Sequence, residues 1–97
     1  MASRKSLAPI ALDADLRLSQ APALRERLLK ALAARSPVTI DGGDVAQVDT
    51  AALQVLCAFT RDATGQGLSF SWGGVSGVLR DGAAMLGLDK TMNLPVA

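Results

Sequence analysis

Apolar positions along the chain fall into short alternating blocks and longer blocks with helical spacing, a pattern of strands that alternate with helices. Leu7 to Leu12 is apolar, broken only by Pro9, which suits an edge strand. Leu16 and Leu18 flank Arg17 in a second short alternation, and Asp13-Ala14-Asp15 reads as the turn between the two strands. Ser19 is expected to cap a first helix that carries Pro22 in its opening turn. Leu24, Leu28, Ala31 and Leu32 then share one face, while Arg25, Glu26 and Lys30 point elsewhere. Pro37 predicts an end near Arg35, because the residue before a proline is biased away from helical geometry.

Val38 to Ile40 reads as a buried strand and Gly42-Gly43 as its break. A second helix is predicted from Asp49 and Thr50: Leu53, Leu56, Cys57 and Thr60 follow the helical spacing. Val55 and Phe59 lie on a neighbouring face, so this helix is expected to be buried on more than one side. Gly65 and Gly67 close it. Leu68 to Trp72 alternates strictly, the clearest strand signal in the chain. A third helix is predicted from about Ser76 to Leu86, weakened by Gly82 and ended by Gly87. Leu88 to Ala97 is expected to form a last short strand or turn.

The resulting order, β-β-α-β-α-β-α, predicts an α/β domain: a mixed sheet of about four strands that includes parallel pairs, with helices mainly on one face. One domain spanning residues 7–97 is expected behind a mobile tail, Met1 to Ser6. At 97 residues there is room for one modest core, and a 49% hydrophobic composition supplies the side chains to fill it. A net charge of +1 with interspersed signs argues against nucleic acid as a partner. No apolar run approaches the length needed to cross a membrane, and no apolar stretch follows Arg4 and Lys5 as a secretion signal would require, so a cytoplasmic protein without direct membrane insertion is expected.

The chain contains no His, so the usual general base and the commonest metal ligand are missing. Cys57 is the only cysteine, which excludes an internal disulfide and a Cys-rich zinc site; its helical spacing reads as a buried structural thiol. Gly42-Gly43-Asp44 is too short for a phosphate loop. Asp13 and Asp15 read as solvated turn carboxylates, and Trp72 with Phe70 as core residues, the alternative for Trp72 being a cap on the sheet edge near the second helix. No nucleophile–base pair, metal set or cofactor loop is present, so a non-enzymatic protein without cofactor or metal is expected.

The pair that carries most information is Asp49-Thr50, an acid and a hydroxyl side by side at a helix start. Either side chain can cap the first turn, worth about 1 kcal/mol, and a carboxylate suits the positive end of the helix dipole. The same corner can present a switchable hydroxyl. A capping Asp49 could accept the Thr50 proton during phosphoryl transfer, and a phosphate there would add nearly two negative charges to a surface that a partner meets as neutral.

The chain resembles the STAS domain family of anti-sigma-factor antagonists and their relatives over roughly Leu7 to Leu94. Three stretches carry the resemblance: Leu12-Asp13-Ala14-Asp15-Leu16 leading to Ala21-Pro22-Ala23-Leu24-Arg25; Val38-Thr39-Ile40-Asp41 followed by Val48-Asp49-Thr50-Ala51-Ala52-Leu53; and Trp72-Gly73-Gly74-Val75-Ser76-Gly77-Val78-Leu79 closing in Leu86-Gly87-Leu88. The resemblance implies a single STAS-type domain that binds a protein partner: a serine kinase or anti-sigma factor, a chemotaxis or other signalling protein, or an ABC ATPase. Thr50 is the candidate phosphoacceptor it implies. The expected partner-binding set is Asp44, Asp49, Thr50, Ala51, Leu53, Gln54 and Arg61, with Arg61 as an exposed anchor. Two positions depart from the family pattern. Ala52 stands where the signature usually has Gly, and Ala51 stands where classical antagonists often carry a second hydroxyl. The Asp-Thr-Ala opening is also similar to the STAS subunit of the bacterial phospholipid-transport ABC complex.

Overall fold

The computed structural model describes residues 10–35 and 37–95. The elements in chain order are β1 (Ile10–Ala11), β2 (Asp15–Leu16), a 3-10 turn (Leu18–Gln20), α1 (Ala21–Ala34), β3 (Val38–Gly42), β4 (Gln47–Val48), α2 (Thr50–Gly65), β5 (Phe70–Val75) and α3 (Gly77–Met85). Strand β3 is the centre of a three-stranded sheet ordered β1-β3-β5. Its alternation decides which face is covered: Val38, Ile40 and Gly42 are buried while Asp41 is exposed. Strand β5 repeats this, with Phe70 and Trp72 half-buried and Ser71 and Gly73 exposed. The helices therefore pack mainly on one face, as the sequence predicts.

All described strand pairs are parallel. This refines the expected mixed sheet. β1 and β2 do not fold back on each other across Asp13-Ala14-Asp15: β1 runs parallel to β3, and β2 runs parallel to β4 in a separate two-stranded sheet. The chain between them is held against the same neighbours by Leu12 N–H donating to Asp41 O at 2.9 Å and the amides of Ala46 and Gln47 donating to Ala14 O. β1 and β2 are thus successive pieces of one edge path, and their short lengths reflect its bend. Residues 7–9 of the expected first strand, the tail 1–6 and residues 96–97 lie outside the described residues.

Helix α1 begins with Gln20 as its N-cap residue and without a side-chain cap; Ser19 lies inside the 3-10 turn. The expected Ser19 cap is displaced because the preceding turn delivers the chain to the helix with its own backbone bond, Gln20 N–H to Arg17 O at 2.7 Å. Leu24, Leu28, Ala31 and Leu32 are buried on the inner face. In α2 the buried set Ala52, Leu53, Leu56, Cys57, Phe59, Thr60 and Ala63 spans more than one stripe, as expected for a helix packed on two sides. Phe59 meets Phe70 edge-on at 5.5 Å, and Phe70 meets Trp72 edge-on at 5.6 Å, locking α2 to the sheet. Such pairs contribute about 0.5–1.5 kcal/mol each beyond area burial.

Ser76 caps α3 by accepting the Leu79 amide at 3.1 Å. Leu79 is fully buried, and its approach to the sheet needs Gly42: a Cβ at that position would lie 2.7 Å from Leu79 Cδ2. The C-terminal segment forms turns rather than a strand, tied by Met92 N–H to Leu88 O, Asn93 N–H to Lys90 O and Leu94 N–H to Asp89 O. Met92 is fully buried, and Trp72 Nε1 donates to its carbonyl at 2.9 Å. Among the described residues no helix is long and apolar enough to cross a membrane.

Candidate functional site

The start of α2 is built by β4, whose pairing with β2 brings Val48 beside Leu16 and delivers the chain in extended geometry to Asp49. Asp49 is the N-cap residue. Its Oδ1 accepts the Ala52 amide at 3.1 Å, and its Oδ2 accepts the Leu18 amide at 2.7 Å. One carboxylate thus caps α2 and ties it to the turn that precedes α1. Thr50, the first residue of α2, is exposed, and among the described residues its hydroxyl makes no hydrogen bond. Ala52, the residue in place of the usual Gly, is fully buried: its methyl group belongs to the core cluster and its amide to the cap.

The outer face of α2 is a low ridge between two open grooves. The first groove, about 370 Å³, runs between α1 and α2 and is lined by Leu28, Leu29, Leu32, Val55, Ala58 and Phe59, with Arg25, Gln54 and Asp62 also on its lining. The second, about 430 Å³, is lined by Thr50, Gln54, Cys57, Ala58 and Arg61 from α2 and by Leu86 and Leu88 from the chain after α3. Thr50, Gln54, Ala58 and Arg61 follow helical spacing and line the second groove from one side. Leu86 keeps 45% of its surface exposed and the adjoining Met85 keeps 86%, an uncovered apolar edge beside the polar Thr50 end.

Of the residues expected to meet a partner, Thr50, Gln54 and Arg61 share the second groove, and Ala51 lines the first with Gln54. Asp49 stands at the corner with both oxygens engaged. Asp44 is exposed in the turn after β3 and lines neither groove. Leu53 lies in the core at 3% exposure and supports the helix start from behind. Leu86, Leu88 and Ala58 are additional wall residues. The sign of the two leucines in the sequence is a Leu-Gly-Leu run past a helix end, where an apolar side chain has little of its own element to pack on.

A short ion pair flanks the corner. Arg17 Nε and Nη2 donate to the two oxygens of Asp15 at 2.7 and 2.9 Å. This hydrogen bonding holds the Asp15 carboxyl below its ordinary pKa and raises that of Arg17.

A parallel sheet covered by helices on one face, with a carboxylate-capped helix start and grooves on either side of that helix, defines a small α/β domain of STAS type. A family model described as "Mlab, STAS domain" matches residues 2–95, and the chain belongs to the STAS domain family. STAS domains are generally non-enzymatic regulatory modules that mediate protein–protein interactions. No curated protein and no solved structure matches the chain.

Proposed function

We propose that this domain is a non-enzymatic docking module of the bacterial cytoplasm that binds a protein partner along the outer face of α2, with Thr50 at the contact. The observation that supports this reading is the exposed line of Thr50, Gln54, Ala58 and Arg61 on the wall of a groove whose other wall is apolar. In the switching version, which is anti-sigma-factor-antagonist-like, a partner kinase phosphorylates Thr50, and the new charge beside Asp49 breaks the complex. Arg61 supplies a charged anchor three turns away.

A second reading makes the domain a constitutive STAS subunit of an ABC lipid-transport complex. One observation favours it: both Asp49 oxygens already accept backbone amides, so Asp49 orients the helix rather than the Thr50 hydroxyl. In this version no kinase acts, and Thr50 is covered permanently by an ATPase partner.

Affinity purification from the native cell compares the wild type with Arg61→Glu, Thr50→Asp and, as a control off the α2 face, Lys30→Glu. Docking through α2 requires that the first two lose a co-purifying protein that the control retains. Equal recovery from all four would sink the reading. Intact mass after incubation with the recovered partner and ATP separates the versions: a single added phosphate at Thr50 marks the switch. No addition by a verified active partner, with Thr50→Ser still assembling, marks the constitutive subunit.

A further inference from the structure

The segment from Leu88 to Leu94 is attached differently from the rest of the domain. It has no sheet pairing, and three backbone bonds between its own residues hold its shape. Asn93 adopts a left-handed conformation, φ +58°, that closes the turn. Leu88 N–H donates to Ala83 O of α3 at 2.9 Å and hinges the segment there, and two side chains from other elements tie down its far part. Trp72 Nε1 on β5 donates to Met92 O at 2.9 Å, and the one hydroxyl proton of Thr60 on α2 is shared between Cys57 O at 2.8 Å and Thr91 O at 3.3 Å. Met92 is the one side chain of this segment fully buried in the core. Leu88 and Cys57 line the same groove on the α2 face.

We propose that Leu88 to Leu94 is a strap that opens as a unit while the remaining domain stays folded, and that in its closed position Leu88 completes, beside Leu86, the apolar wall of the α2 groove. Trp72 and Thr60 are the latches. A small segment held by few bonds and one buried side chain opens at a lower free energy than the core it covers. Opening removes Leu88 from the groove and bares the seat of Met92 next to α2. A partner that needs the apolar wall therefore binds the closed form, and a ligand shifts a two-state element only by its preference between the two states. This consequence for the groove rests on the docking reading above; the opening itself does not.

The single cysteine makes the test possible without a partner. Cys57 is 7% exposed on the groove that the strap lines. Its modification by an aromatic disulfide reagent is followed in the intact protein across low urea, alongside global unfolding by circular dichroism. The expected result is a labelling rate nearly flat in low urea, because local opening exposes little surface. At zero urea, Trp72→Phe and Thr60→Val should each label roughly threefold to tenfold faster, the range that one lost neutral hydrogen bond gives. Thr60→Ser, which keeps the donor, should label like the wild type. Equal rates in all four proteins would mean static access to the thiol and overturn the proposal. So would rates that climb from zero urea with the full slope of global unfolding, or that rise in the variants only in step with lost global stability.

Discussion

The carboxylate of Asp49 holds the backbone amide of Leu18 at 2.7 Å across 31 positions of sequence while its other oxygen caps α2. One side chain therefore fixes the relative placement of two helix starts, and the exposed Thr50 inherits its position from that bond. Loss of an N-terminal cap costs about 0.5–2 kcal/mol, and the freed Leu18 amide, in an exposed place, regains water. Asp49→Ala should lower stability by about 2 kcal/mol, since it loses both bonds, and Asp49→Asn by about half as much, since one carbonyl oxygen remains. Urea unfolding of the two variants checks the order. Equal stabilities of wild type and Asp49→Ala would show that the bridge contributes nothing.

The Asp15–Arg17 pair gives a pH signature. The hydrogen bonds from Arg17 depress the Asp15 carboxyl first; slight desolvation opposes them, and the Arg17 charge reinforces them. Because the folded pKa is lowered, the pair favours the folded state above the unfolded pKa of Asp15, and that contribution is lost as pH falls through the folded one. Both side chains are about half exposed, so the contribution is small. A carboxyl-detected NMR titration should place Asp15 below an ordinary aspartate, and Arg17→Gln should raise its midpoint. A midpoint unmoved by Arg17→Gln would remove the pair as the cause.

Much of the fold is legible in the residue pattern, and the exceptions share a cause. Helices α1 and α2 and strand β5 carry periodicities long enough to be read locally, and the Gly67 and Gly87 breaks have local chemistry. Strand β4 is two residues, Gln47 and Val48, and it exists through its pairing with Asp15 and Leu16. The direction of β1 and β2 is set by Asp41 and Ala14 bonds to distant residues, so Asp13-Ala14-Asp15 shows turn composition without reversing the chain. At the candidate site the Asp49 cap was legible from residue types alone. The Leu18 bond, the core position of Leu53 and the wall formed by Leu86 and Leu88 were not, because each depends on which segments tertiary packing brings beside α2.

Arg35 closes α1 in the left-handed region, φ 55° and ψ 24°, with its amide shared between Ala31 O and Leu32 O. An L-residue there carries roughly 1–2 kcal/mol of strain, which glycine avoids at the cost of a more flexible unfolded chain. Arg35→Gly should therefore raise stability by about 0.5–1 kcal/mol although it deletes a side chain. Thermal unfolding that shows a lower midpoint for the variant would mean the Arg35 side chain contributes more than the strain costs.

Gly42 and Leu79 are matched in size. Gly42 ends β3 on the buried face, and a Cβ there would come within 2.7 Å of Leu79 Cδ2 and 3.3 Å of Gly74 O. Leu79 is fully buried and cannot swing aside without displacing core neighbours. Gly42→Ala should destabilise by about 1–3 kcal/mol through overpacking, and Leu79→Ala by about 2–5 kcal/mol through the cavity it leaves. The two defects compensate in volume, so the double variant should be more stable than the sum of the single losses allows, with a coupling of about 1 kcal/mol. Chemical unfolding of the four proteins measures it. A strictly additive cycle would mean that the backbone contact with Gly74, rather than Leu79, sets the need for glycine at this position.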